Sequence, residues 1–236
     1  MSIQRTSLRT FLEFLQNSPQ ALRTIGPRHT ETKHQLHSQG NKHSQGTGNA
    51  PTDQETCFAA VLQDHGFAYS MDRVASSHYR YQPNGSQRPP DFTVYEWDGT
   101  QHRSFDFDLK HTKDQKIFLN DGWFHLNTIY VISWMRTTSA PRKKKEVNPE
   151  TLIGLGQDIP TENENKQYEQ RRELIKQMNS EQKDEETNVI WYTRSANQYK
   201  CTTRFTPEFS QACYTHAIDY ISSSETSDSS SDASVY

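Results

Sequence analysis

The stretch FTVYEWDGTQHRSFDFDLKH, residues 92–111, constrains this chain more than any other. Two runs rich in aromatic and β-branched residues flank Asp98-Gly99, a dipeptide that favours the tight turn of a β-hairpin. Side chains alternate across a strand. Phe105, Phe107 and Leu109 therefore take one face, and Asp106, Asp108 and Lys110 take the other. The apolar face supplies a core, which holds the acidic face rigidly. With a two-residue turn, Trp97 faces Thr100. Asp91 then lies opposite Asp106, and Asp108 sits on its diagonal at roughly 7–8 Å. A loop two residues longer sets Asp91 directly opposite Asp108. Either register gathers Asp91, Asp108 and Lys110 on one face.

Carboxylates converging on one face repel, and without a cation at least one is pushed up in pKa. Oxygen-only ligands suit Mg²⁺, which takes a few carboxylates and fills its remaining positions with water and phosphate oxygens. A lysine beside such an ion can orient or deprotonate a water and stabilise charge developing on phosphorus. This is equipment for hydrolysing a phosphodiester.

The rest of the chain supplies the setting. Leu8, Phe11, Leu12 and Leu15 recur at helical spacing, so residues 1–25 are expected to hold a short amphipathic helix. Hydrophobic residues make up only 31% of the 236, and the shortfall is uneven. Residues 26–51 contain one large aliphatic side chain, Leu36, and read as a flexible polar loop; its histidines have nothing to fix a metal geometry. Residues 222–236 are Ser-rich and acidic, and read as a disordered tail. Thr52 and Glu55 form a capping box at the start of a helix over residues 52–65. Residues 67–70 suggest a short strand and 71–90 a loop. Residues 116–126 read as helical or irregular, 128–135 as a buried strand, and 137–160 as a loop. Residues 161–186 suggest a surface helix, 188–194 a strand, and 205–221 a last helix or a strand-helix pair. This order points to an α/β fold of the α+β kind, with a central mixed sheet flanked by helices.

Net charge is −3, and the tail carries Glu225, Asp228 and Asp232, so the body is near neutral. A nucleic-acid surface must then come from local clusters. The three cysteines, Cys57, Cys201 and Cys213, suggest no disulfide framework. The expectation is a soluble, cytoplasmic protein with no membrane span and no signal peptide.

Pro90-Asp91, followed after sixteen residues by Asp108-Leu109-Lys110, resembles the PD-(D/E)XK nuclease motif. The order of elements also resembles that superfamily: a helix, the motif hairpin, a helix, then a strand. The resemblance covers about residues 52–135. It implies a restriction-endonuclease-like core, with residues 52–221 as the nuclease domain. In that core the first helix usually bears a metal-binding glutamate, and Glu55 takes that place. Asp91 and Asp108 would bind Mg²⁺, with the Leu109 carbonyl as a further ligand, and Lys110 would act on the attacking water. The small single-domain layout looks most like a type II restriction endonuclease, implying double-stranded DNA cut at a short sequence to leave 5′-phosphates. It also implies a homodimer and a DNA methyltransferase acting separately. Rival readings are a repair nuclease or junction resolvase of the same core, and a non-catalytic nucleic-acid-binding module.

Bases are read by Arg, Lys, Asn and Gln side chains. Two segments offer them. One carries Arg194, Asn197, Gln198 and Lys200, and the other Asn120 and Asp121. Arg142, Lys143 and Lys144 belong to the densest basic cluster and would contact phosphate.

Overall fold

The computed structural model describes residues 7–27, 29–43, 50–72, 74–85, 89–112, 116–119, 122–138, 146–181, 197–200 and 205–223. The fold is mixed α/β. A six-stranded mixed sheet carries helices against it, beside a separate two-stranded ribbon. The sheet contains β1 (Ala68–Tyr69), β2 (His78–Tyr81), β3 (Phe92–Trp97), β4 (His102–His111), β6 (Ile129–Thr138) and β7 (Glu146–Leu155). Its strand order is β1-β2-β3-β4-β6-β7, with β1/β2 and β4/β6 parallel and the other pairs antiparallel. The ribbon pairs β5 (Lys116–Leu119) with β8 (Asn197–Lys200).

Helices α1 (Leu8–Asn17), α3 (Asp53–Asp64) and α5 (Pro207–Ser223) pack their apolar stripes into a core. On α1 that stripe is Leu8, Phe11, Leu12 and Leu15, all fully buried, as the spacing predicts. Phe58 of α3 lies 4.9 Å from Phe92 and 5.5 Å from Phe107, ring centre to ring centre. The sheet contributes Phe105, Phe107 and Leu109 from β4 and Ile129 and Val131 from β6 to this core. The alternate residues of β6, Tyr130, Ile132 and Trp134, join a second core with Ile117, Leu119 and Tyr199 of the ribbon. Strand alternation thus divides β6 between two cores. Among the described residues no helix is long and apolar enough to cross a membrane.

Several expectations need correction. Residues 26–51 are not simply a flexible loop, because they contain α2 (His29–His43). Leu36 is fully buried there, and Gln63 of α3 donates to the Gln35 carbonyl oxygen Oε1 at 2.9 Å while accepting from Thr32 Oγ1 at 3.2 Å. One buried leucine and a polar side-chain lattice hold a helix that apolar periodicity does not announce. The stretch 71–90 contains β2, 116–126 opens with strand β5 rather than a helix, and 137–160 contains β7. Consequently no helix is found among the described residues between β4 and β6. The expected surface helix is present as α4 (Glu162–Glu181), and the last helix as α5. The strand expected over 188–194 lies outside the described residues, as does the sequence after Ser223.

Of the two registers that the hairpin sequence allows, the one with the longer loop is found. Trp97 pairs with His102 and Phe92 with Phe107, so the connection spans Asp98 to Gln101 rather than two residues. Asp98 explains the longer turn. Its Oδ1 accepts from the Thr100 amide at 2.7 Å, the Thr100 hydroxyl at 2.8 Å and the Gln101 amide at 2.9 Å. These bonds hold its exposed carboxyl down at about 2. Gly99, at φ 111°, takes the left-handed position that the turn requires. Continued by one residue, this register sets Asp91 opposite Asp108.

Candidate active site

Asp91 stands just before β3, and Asp108 and Lys110 lie near the end of β4. The Leu109 amide donates to Asp91 Oδ2 at 2.7 Å, tying the two strands together at this point. Lys110 Nζ forms an ion pair with Asp108 Oδ1; their side chains are 24% and 7% exposed. Glu55 reaches the same place from the first turn of α3. Its Oε2 accepts from the Thr52 amide at 2.5 Å and its Oε1 from the Tyr81 hydroxyl at 3.1 Å. The capping box is therefore real, and the carboxylate that closes it also faces the acids. Asp91, Glu55, Leu109 and Lys110 all line one cleft of about 730 Å³.

The electrostatics follow from this convergence. Burial and the neighbouring Asp108 carboxylate push the Asp91 carboxyl up to about 8; Glu55 adds to the rise, while Lys110 and the Leu109 amide oppose it. Burial and the Glu55 carboxylate likewise push the Tyr81 hydroxyl well above its usual range, and Asp91 contributes. Burial and then Asp108 do the same to Tyr130, which neighbours Asp108 on β6. Asp106 lies further along the same strand face and accepts from Thr93 Oγ1 at 2.7 Å, across the β3/β4 pair.

The cation fit rests on two carboxylates. Among the described residues, no three His, Cys, Asp or Glu side chains are grouped so as to hold a metal ion. Both Glu55 oxygens already have donors. Asp91 and Asp108 remain, opposed across the strands with mutual repulsion to relieve. A site of one or two carboxylates completed by water and substrate phosphate is the usual Mg²⁺ arrangement. The residues present fit that group, though not a closed protein cage.

Two residues at the site were not anticipated. Gln54, nearly fully buried, donates from Nε2 to Ser133 Oγ at 3.0 Å, the Lys110 carbonyl at 3.3 Å and the Val131 carbonyl at 3.4 Å. It fastens the start of α3 to β4 and β6. Its position four residues before Phe58 puts it on the inward stripe, a readable signal. Tyr81, which binds Glu55, ends the alternating HYRY of β2 and was hidden with that strand.

Of the expected DNA contacts, Asn120, Asp121, Arg142, Lys143, Lys144 and Arg194 lie outside the described residues. Asn197, Gln198 and Lys200 form β8. Gln198 pairs with Phe118 and Lys200 with Lys116, and all four of these side chains are exposed on the ribbon face opposite the core. Phe118 also lines the cleft and is 56% exposed.

No protein-family model, curated protein or solved structure matches this chain.

Proposed function

We propose that the protein is a Mg²⁺-dependent endonuclease hydrolysing double-stranded DNA at a short sequence, in the manner of type II restriction enzymes. The observation that carries this reading is the opposition of Asp91 to the buried Asp108, which pairs with Lys110, at a cleft that Asp91, Lys110 and Glu55 line. When bound, the divalent ion would neutralise phosphate charge and acidify water. Asp91 and Asp108 would hold it, with the Leu109 carbonyl and Glu55 as further oxygen donors. Lys110 Nζ, on the same strand face as Asp108, would orient the attacking water and stabilise charge developing on the phosphate. Phe118 of the ribbon lines the cleft, and the exposed ribbon face it shares with Lys116, Gln198 and Lys200 carries cationic, aromatic and amide groups suited to a nucleic acid. A homodimer would present two such sites to the two strands.

A non-catalytic nucleic-acid-binding module is the second reading, favoured by the closed Lys110–Asp108 ion pair. Cleavage of plasmid DNA in Mg²⁺, and DNA binding in Ca²⁺ as a non-catalytic substitute, separate the two. Asp108→Ala should abolish cleavage while leaving metal-free DNA binding unchanged or tighter. Lys110→Ala should abolish cleavage yet keep most Ca²⁺-assisted binding. Removing one partner of a buried pair costs about 3–5 kcal/mol. The double variant Asp108→Asn, Lys110→Met therefore serves as the folded control, its melting followed alongside. Robust cutting by any of these variants sinks the nuclease site, and binding without cleavage by the wild type favours the module.

A further inference from the structure

Arg23 ends the short 3₁₀ turn Pro19–Leu22 and lines the same cleft as Asp91 and Lys110. Two of its guanidinium nitrogens, Nε and Nη2, are shut away from solvent and find no hydrogen-bond partner. No described carboxylate forms an ion pair with it, although Glu55 and Asp53 line that cleft too. Asp53 is instead paired with Lys33 at 3.2 Å. An arginine keeps its charge in proteins and carries five donors in a planar fork. Leaving such donors buried and unused costs stability, and burial already lowers the pKa of Arg23. Such a side chain suits an anion receptor: a ligand that turns the guanidinium out into the cleft it lines, rather than the protein, would complete the bonds. Two features suit that ligand to a phosphate diester. The guanidinium fork matches two phosphate oxygens. The cleft also holds Asp91, whose charge a divalent ion shared with the adjoining Asp108 would neutralise, and Arg23 lines it together with Lys110.

We propose that Arg23 is the phosphate-binding residue of this cleft, gripping a backbone phosphate of the substrate beside the one that is cut. This rests on the nuclease reading for its substrate, but the anion site itself can be tested without cleavage. The variants are Arg23→Met, which keeps the stem packing, and Arg23→Lys, which keeps the charge. The probes are inorganic phosphate and a short DNA duplex in Ca²⁺. Arg23→Met should melt no lower than the wild type in the absence of ligand, because it removes unpaired buried donors. It should bind both probes about tenfold more weakly, and the slope of log affinity for duplex against log salt should fall by about one. Arg23→Lys should recover part of both. Unchanged affinity and salt slope in Arg23→Met, or a wild type that binds neither probe, would overturn the proposal. So would a Met variant that melts well below the wild type and loses binding only in step with its fold. Phosphate binding that depends on Arg23, in a protein that never cuts DNA, would uphold the anion site and sink the nuclease. Cleavage with Arg23→Met binding like the wild type would do the reverse.

Discussion

Burial and the opposed Asp108 hold the Asp91 carboxyl up at about 8. In the unfolded chain the same group ionises near 4. Between about 4 and about 8, folding therefore takes up a proton, and this group withdraws stability as pH rises through that window. Asp91→Asn ends the titration while its side-chain oxygen can still accept from the Leu109 amide. The variant should melt close to the wild type at about pH 4 and above it at about pH 8, without added metal. Mg²⁺ should raise the melting of the wild type but not of the variant. An identical gap between the two proteins at both pH values would show that Asp91 does not titrate in this window. At this scale much was legible. The strand alternation that sends Phe107 one way and Asp108 the other is visible in six letters, and so is the pairing of Thr52 with Glu55. Gln54 sits on the inward stripe, four residues before Phe58, but that spacing marks only its direction; the two carbonyls and the hydroxyl it bonds come from strands distant in sequence.

Helix α3 owes its position to both ends of the Glu55 carboxylate, one capping its own helix and the other meeting Tyr81 of β2. Glutamine can close a capping box as glutamate does. Glu55→Gln should therefore cost less stability than Glu55→Ala, for which loss of the box is worth on the order of 0.5–2 kcal/mol. If Glu55 also serves the cation, the glutamine variant should stay folded and lose cleavage. Thermal melting and plasmid cleavage of both variants separate the roles: full cleavage by Glu55→Gln would leave the residue as a cap alone. Elements written in strong local signals, α1, α3, β3, β4 and β6, were read. Those written weakly were missed. Strand β5 has four residues, β2 hides in a tyrosine-rich loop, and β7 contains Pro149. Proline reads as a breaker, yet a strand at the rim of a sheet tolerates it. At the Asp98-Gly99 turn the sequence left two registers open, and three bonds to the Asp98 carboxylate favour the one with the longer loop.

The two cores meet across β6, and the turn after β7 closes one of them. Gly156 donates its amide to the Thr128 carbonyl at 2.9 Å. A Cβ there would run into the His125 carbonyl oxygen, with the Tyr130 ring 2.9 Å away. Backbone cannot yield as a side-chain tip does. Gly156→Ala should therefore cost at least the roughly 1–3 kcal/mol of an overpacked site, with melting lowered by several degrees. Gly26→Ala, whose nearest neighbour would be the His29 ring at 3.7 Å, should melt like the wild type. Equal melting of the two variants would contradict this packing. The class of fold was legible in the alternation of helices and strands. The strand order was not, since two of the six strands in the sheet went unseen and pairing across long separations leaves little trace in local sequence.

The rims of that sheet have a consequence for handling and assembly. One ends in β1, a strand of two residues; the other ends in β7, where Pro149 offers no amide hydrogen. Neither presents an unbroken ladder to a passing chain, and short or proline-bearing rims are how sheet proteins avoid aggregating edge to edge. Concentrated or gently heated solutions should therefore stay clear of fibrous aggregates. Where a second copy is to share a DNA duplex, these rims favour a meeting through helices or loops over a continued sheet.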